Sequence, residues 1–170
     1  MQAAHKDGMK ALAFQEPYAT EIILGAKTVE CRTRSIKTPV RDLIVCASKT
    51  AHVCYPMPGL VYGYAIGLVD IVGCVTFRKR HLEAACMDEM PSKPSNAWIL
   101  ENARAIKPFP VSASASFFYV DETPEVIAVA TPEDYKRAFL DIAHQAEPDR
   151  IGPDADEIIA ACFEGMFFRA

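Results

Sequence analysis

The feature that most constrains the fold is the run Val61–Phe77, rich in valine, isoleucine and aromatic residues, with glycines at 63, 67 and 73. Its composition is strand-forming, and it exceeds the usual ~5–6 residues of a strand. A period of two sets the odd-numbered glycines on one face, where another backbone or a ligand can approach closely. A strand this long bends or bulges, and a glycine is where the bend is expected. Small closed barrels turn their corners with such strands. The expected fold is therefore α+β and mainly β: a small, partly closed barrel with short helices over its openings.

The flanking segments agree. Lys10–Phe14 reads as a first strand, then Pro17 opens a helix over about Tyr18–Leu24, and Gly25 stops it. Lys27–Arg34 and Asp42–Ala47 read as strands, the second a continuous apolar run from Leu43 on and so covered on both faces. Residues 48–60 read as a loop, Arg78–Met87 as a short helix and Ala97–Pro110 as one or two strands. Phe117–Val120 and Val126–Ala130 are β-like. Two helices follow, one with Pro132 at N1 and a Tyr135, Ala138, Phe139, Ile142 stripe. The other starts near Pro153 and carries Ile158, Ile159, Cys162, Phe163 and Met166. The expected division is an arm or tag remnant at 1–8, a barrel domain at 9–120, and a C-terminal strand with two helices packed on the barrel at 121–170.

Composition excludes several classes. The chain is 51% apolar and 24% charged, ordinary for a globular protein. No apolar run approaches the ~20 residues that span a bilayer, and residues 1–8 lack the apolar core of a secretory signal. A cytoplasmic protein is expected, with no membrane contact. The six cysteines contain no C-x-x-C and the four histidines no i, i+4 pair, so reduced core thiols are expected, with no metal and no cofactor. Charge is uneven: residues 1–110 hold 14 Lys/Arg against 10 Asp/Glu, and residues 111–170 hold 4 against 12. That pattern fits a basic working face with an acidic solvating part, or C-terminal helices with charged outer sides.

The candidate site lies around Lys27. Gly25 ends the helix, so Lys27 starts a strand beside the helix end, with its amine free to reach a cleft. Glu30 and Arg32 share a strand face, and Ser48-Lys49 end the next strand. Several donors with one carboxylate suit a phosphate or a polar base. Cations crowding Lys27 would favour its neutral amine, a nucleophile or base. Tyr18 offers a stacking face, whereas Trp98 reads first as core. Glu30 with Arg32 or Arg34 also reads as a plain surface ion pair, and Arg78-Lys79-Arg80 as a solvated basic turn.

Gln15-Glu16-Pro17-Tyr18-Ala19, then Gly25-Ala26-Lys27-Thr28-Val29-Glu30-Cys31-Arg32, then Leu43, Ile44, Ala47, Ser48 and Lys49 together resemble the ASCH family. Gly63–Val69 resembles its central glycine-rich strand, and Trp98 and Pro110 fall where its closing strands are expected. The likeness covers about residues 9–120 and implies a PUA-like barrel with a C-terminal helical extension outside it. One departure is Ser112–Ser116, where many relatives carry Lys-Gly.

The resemblance implies a cleft for RNA or a nucleotide or nucleoside, with Gln15, Tyr18, Arg32, Ser48 and Lys49 as binding residues. It also implies, as an alternative, a hydrolase using Lys27 and Glu30: an amidohydrolase on a modified nucleoside such as acetylcytidine, or a ribonuclease. In the amidohydrolase pattern a hydroxyl stands three positions after the lysine, where this chain has Glu30. Its distant acid falls near Asp88 or Glu89. A third alternative is a non-catalytic interaction module, with the C-terminal helices meeting a protein partner or a second copy.

Overall fold

The structure, a computed structural model, describes residues 8–50, 59–143 and 155–164. The expected arm (Gly8 apart), most of the 48–60 loop and the ends of the last helix, with Met166, lie outside the described residues. Strand β1 (Met9–Phe14) leads to helix α1 (Tyr18–Ile23), then β2 (Val29–Arg32), β3 (Val40–Ala47), β4 (Tyr64–Thr76), β5 (Asn96–Pro110) and β6 (Phe118–Val120). Helical segments α2 (Pro132–Tyr135), a π turn (Lys136–Leu140) and α3 (Asp141–Ala143) run on without a break, and α4 (Ala155–Glu164) follows.

The strands form one sheet in the order β2-β5-β4-β3-β1-β6. β1 pairs with β3 in parallel, and the other described pairings are antiparallel. The fold is mainly β with short helices, as expected. The hydrogen-bonded ladder does not close, because β2 and β6 remain its edges. Side chains stitch that gap instead: Arg32 Nη2 on β2 donates to the Ala13 carbonyl on β1 at 3.3 Å, and Trp98 stacks on Phe117 just before β6.

The long run divides differently from the sequence reading. β4 starts at Tyr64, and Gly63 belongs to the preceding turn at φ +78°. Register shifts between Ala65 and Gly67, Leu68 and Asp70, and Ile71 and Gly73 break the period of two. The close approach at Gly67 is made by the protein itself: a Cβ there would meet the Ile23 side chain and the Arg104 carbonyl at 2.7 Å. One carboxylate organises the bulges. Asp70, buried on β4, accepts from the Asp42 N–H at 2.9 Å, from Arg41 at 2.9 Å and from Asn102 at 3.3 Å. Asp42 and Asn102 hold positive φ of 50° and 56°, a conformation that Asp and Asn tolerate better than most residues.

Three other segments differ from expectation. Arg78–Met87 is two 3₁₀ turns, Lys79–His81 and Glu83–Ala85, and Cys86 at φ 53° ends the second. Ala97–Pro110 belongs to one unbroken strand. Val126–Ala130 makes only an isolated bridge from Val126 to Ile106, since Pro124 and Pro132 bracket it.

The main core fills the space between the sheet and the helices. Leu12, Phe14, Ile22, Leu43, Ile66, Ile71 and Trp98 meet Tyr135, Phe139, Ile158 and Ile159 there. Trp98 is core, and its indole N–H donates to the Arg34 carbonyl at 3.0 Å. Tyr135 and Phe139 of the first C-terminal stripe and Ile158, Ile159 and Cys162 of the second are thus buried in the chain's own core, whereas Phe163 is exposed. Thr131 and Asp134 cap α2 reciprocally, with Pro132 at N1 as the sequence indicates. No described helix is long and apolar enough to cross a membrane.

Candidate functional site

Local chain geometry delivers Lys27 to its place. Gly25 adopts φ +81°, which a glycine enters without steric penalty. The Lys27 N–H then donates to the Glu21 carbonyl at 3.1 Å, folding the chain back over the end of α1. From there the side chain runs under a cleft of about 840 Å³. That volume lies in the range of small-ligand sites.

All seven sequence candidates line this cleft: Gln15, Tyr18, Lys27, Glu30, Arg32, Ser48 and Lys49. They arrive from the β1–α1 turn, α1, β2 and the end of β3. Lys27 is 3% exposed. Its ammonium donates to the Ala85 carbonyl at 2.6 Å, stands 3.3 Å from Glu30 Oε2 and lies 4.9 Å from the Tyr18 ring centre. The charged group in contact with it is the Glu30 carboxylate, so the crowding by cations that the sequence suggested is not what the fold builds.

Glu30 accepts from Arg32 Nε at 2.7 Å through its other oxygen. With side chains 12% and 28% exposed, this is a part-buried pair rather than a surface one. Arg32 in turn lies near the faces of Phe14, at 5.7 Å, and Trp98, at 6.0 Å. Burial, and then the Glu21 charge, push the Tyr18 hydroxyl up to about 12. Ser48 turns its hydroxyl to the Thr50 carbonyl at 2.5 Å. Lys49 is exposed at the rim, its stem lying over Gly63, where a Cβ would come within 3.4 Å.

Other candidates fall elsewhere. Thr28, Asp88 and Glu89 are exposed and do not line the cleft, and neither does the Arg78-Lys79-Arg80 turn. No metal-holding cluster of His, Cys, Asp and Glu occurs among the described residues.

The sequence reading missed three contributors. Ser112–Ala115 form part of the wall, at the stretch that departs from the family's Lys-Gly. Phe14 supplies an aromatic face under Arg32. The third is Glu21, buried beside Lys27, which burial raises to about 7 although the Cys86 thiol and the Lys27 charge draw it back. Its signal was present: α1 is a short helix flanked by apolar residues, so a polar residue inside it is carried into the core.

The family model described as the ASCH domain matches residues 12–110. Two solved structures resemble the fold at a TM-score of 0.51: the ASCH protein of Zymomonas mobilis, 17% identical, and a serine-to-alanine variant of it, 16% identical. Each match covers 68% of this chain and 89% of the other. No curated protein matches the chain.

Proposed function

Because the chain belongs to the ASCH domain family, we propose that its cleft binds an unstacked nucleotide of single-stranded RNA, or a free nucleotide or nucleoside. The observation that carries this reading is the convergence of Lys27, Arg32 and Lys49 with Glu30 and two aromatic rings, Phe14 and Tyr18, on one cleft. Cations suit a phosphate, a carboxylate accepts from a base's amino group, and rings give a stacking face. The cleft holds one unit rather than a duplex, since its volume is that of a single small ligand. Residence in the cytoplasm is part of this reading.

The test is titration of short single-stranded RNAs and nucleosides at several salt concentrations, on the wild type and Lys49→Ala. Affinity should fall with salt, with a slope of about −0.7 per phosphate contact, and Lys49→Ala should flatten that slope by about 0.7. Binding that ignores salt and survives Lys49→Ala would sink the phosphate assignment.

A second reading, a hydrolase on RNA or a modified nucleoside, is favoured by the Lys27–Glu30 pair at 3.3 Å on the cleft floor. An ammonium and a carboxylate held together away from water suit proton transfer to a substrate amide or ester. Product analysis by chromatography with wild type and Lys27→Ala separates it from pure binding. For the third reading, a protein-interaction module, most of the described stripe residues of the two C-terminal helices are already buried in the chain's own core, Phe163 excepted. A docking role would therefore fall to the charged outer faces of those helices.

A further inference from the structure

Behind Lys27 lies a carboxylate that the cleft does not expose. Glu21 is 0% exposed, and no N–H or O–H group among the described residues donates to either of its oxygens, which leaves the weakly donating Cys86 thiol beside them. Buried carboxylates are ordinarily hydrogen-bonded or paired, and a bare one is costly when charged. The Lys27 N–H bond to the Glu21 carbonyl, 3.1 Å, brings the two residues together at the end of α1. The Lys27 charge acts on the Glu21 carboxylate without ion-pair contact. The ammonium's own contacts are with Ala85, Glu30 and Tyr18.

We infer that Glu21 is a positioning residue of the cleft: by binding or releasing one proton, it sets how much of the Lys27 charge is available to an anionic ligand. This rests on the reading of the cleft as a site for nucleotides. With Glu21 neutral, Glu30 is the carboxylate that balances the ammonium. With Glu21 ionised, a second carboxylate competes for it from the buried side.

The groups facing Glu21 come from several elements: Glu16 before α1, Tyr18 on α1, Lys27 after it, Cys86 after the 3₁₀ turns and Cys162 on α4. Burial holds the Cys162 thiol well above its usual range, Cys86 and Tyr18 at about 12 and Glu16 at about 8. Glu21 at about 7 and Glu16 at about 8 both change charge around neutrality, and of the two it is Glu21 whose carboxylate the Lys27 charge acts on. Among the described residues, no histidine lines the cleft. Anion affinity should therefore fall as pH rises through about 7.

The test has two arms. In the ligand-free protein, carbon-13 at lysine Cε and glutamate Cδ is followed by NMR over a pH titration. The expected result is a Glu21 midpoint near 7 and a Lys27 signal that moves with it. Glu21→Gln should remove the Lys27 inflection while the amide spectrum stays folded. Should that variant not fold, Lys27→Met serves, because loss of the ammonium should move the Glu21 midpoint upward. A Lys27 signal that stays flat, an inflection that persists in Glu21→Gln, or a Glu21 midpoint unmoved in Lys27→Met overturns the inference.

The second arm uses a uridine trinucleotide without terminal phosphates, whose phosphodiesters do not titrate in this range. Its affinity should drop on the order of tenfold from about pH 6 to pH 8 in the wild type, and less than about twofold in Glu21→Gln. An equal drop in both overturns the role of Glu21 while leaving the nucleotide reading intact. No binding at any pH, with the first arm as expected, overturns the nucleotide reading and with it the ligand half of the inference.

Discussion

The Thr20 hydroxyl lies 2.7 Å from the Tyr135 hydroxyl, a contact between residues 115 apart in sequence that ties α1 to the first C-terminal helix. The same Thr20 oxygen lies 2.9 Å from Glu16 Oε1, so a three-member chain is sealed in the core. Thr20→Val would leave both partners buried and short of a hydrogen bond, at about 1–3 kcal/mol, and Tyr135→Phe should cost about 1 kcal/mol. Urea unfolding of the two single variants and the double should show coupling, with the double less destabilised than the sum. Strict additivity would mean the contact contributes nothing to stability.

Stability should fall as pH rises from about 5 to 8. Burial pushes Glu16 from 4.5 to about 8 and Glu21 from 4.5 to about 7, so the folded state keeps protons that the unfolded state releases. The contribution is complete below about pH 4.5 and is lost progressively up to the folded values. His81 works oppositely, because burial and the neighbouring Arg80 and Arg78 charges hold it low. The difference between wild type and Glu16→Gln isolates the carboxylate. That variant should flatten the decline by on the order of a few kcal/mol across the window, read from urea midpoints at each pH. Parallel curves for the two proteins would show that Glu16 does not hold its proton.

Removing Lys27 should affect stability as well as binding. Its ammonium serves Ala85 and Glu30 from a position 3% exposed. Lys27→Ala leaves the part-buried Glu30 with Arg32 alone, for a loss of about 3 kcal/mol. Lys27→Met keeps the apolar stem and should lose less. Equal unfolding free energies for wild type and Lys27→Ala would show the pair to be without structural weight.

Gly67→Ala and Gly73→Ala should differ sharply. At Gly67 the new Cβ meets the backbone oxygen of Arg104 at 2.7 Å as well as the Ile23 side chain, and backbone in a paired strand cannot give way. About 2–4 kcal/mol should be lost. At Gly73 the nearest atom is Ile99 Cγ1 at 3.3 Å, a side chain that can shift, so the loss should stay below about 1 kcal/mol. Thermal melts of the two variants decide it, and similar melting temperatures would contradict the account.

Several elements were legible because local chemistry dictates them. Pro17 and Gly25 bracket α1, the apolar run of β3 shows a strand buried on both faces, and Thr131-Pro132 with Asp134 writes a helix start. The seven site candidates were legible through the spacing of Lys27, Glu30 and Arg32 and their ordered resemblance to a family. Less readable were the bulges of β4. They depend on Asp70 gathering donors from Asp42, Arg41 and Asn102, residues about 30 positions away on two other strands.

The sequence by itself determined the mainly β class, the order of its elements and the residue types at the site. Spacing, turn residues and hydrophobic period act over a few positions. Tertiary structure alone decided that Ser112–Ala115 close the cleft wall and that the charged group in contact with Lys27 is the Glu30 carboxylate rather than a cation. The physical reason is that charge balance and burial depend on distances in space, set only once the sheet has curled and α1 has been pressed into it. Glu21 shows this best: on paper it is one polar residue in a short helix, and in the fold it is a buried carboxyl set between the Cys86 thiol and the charge of a buried ammonium.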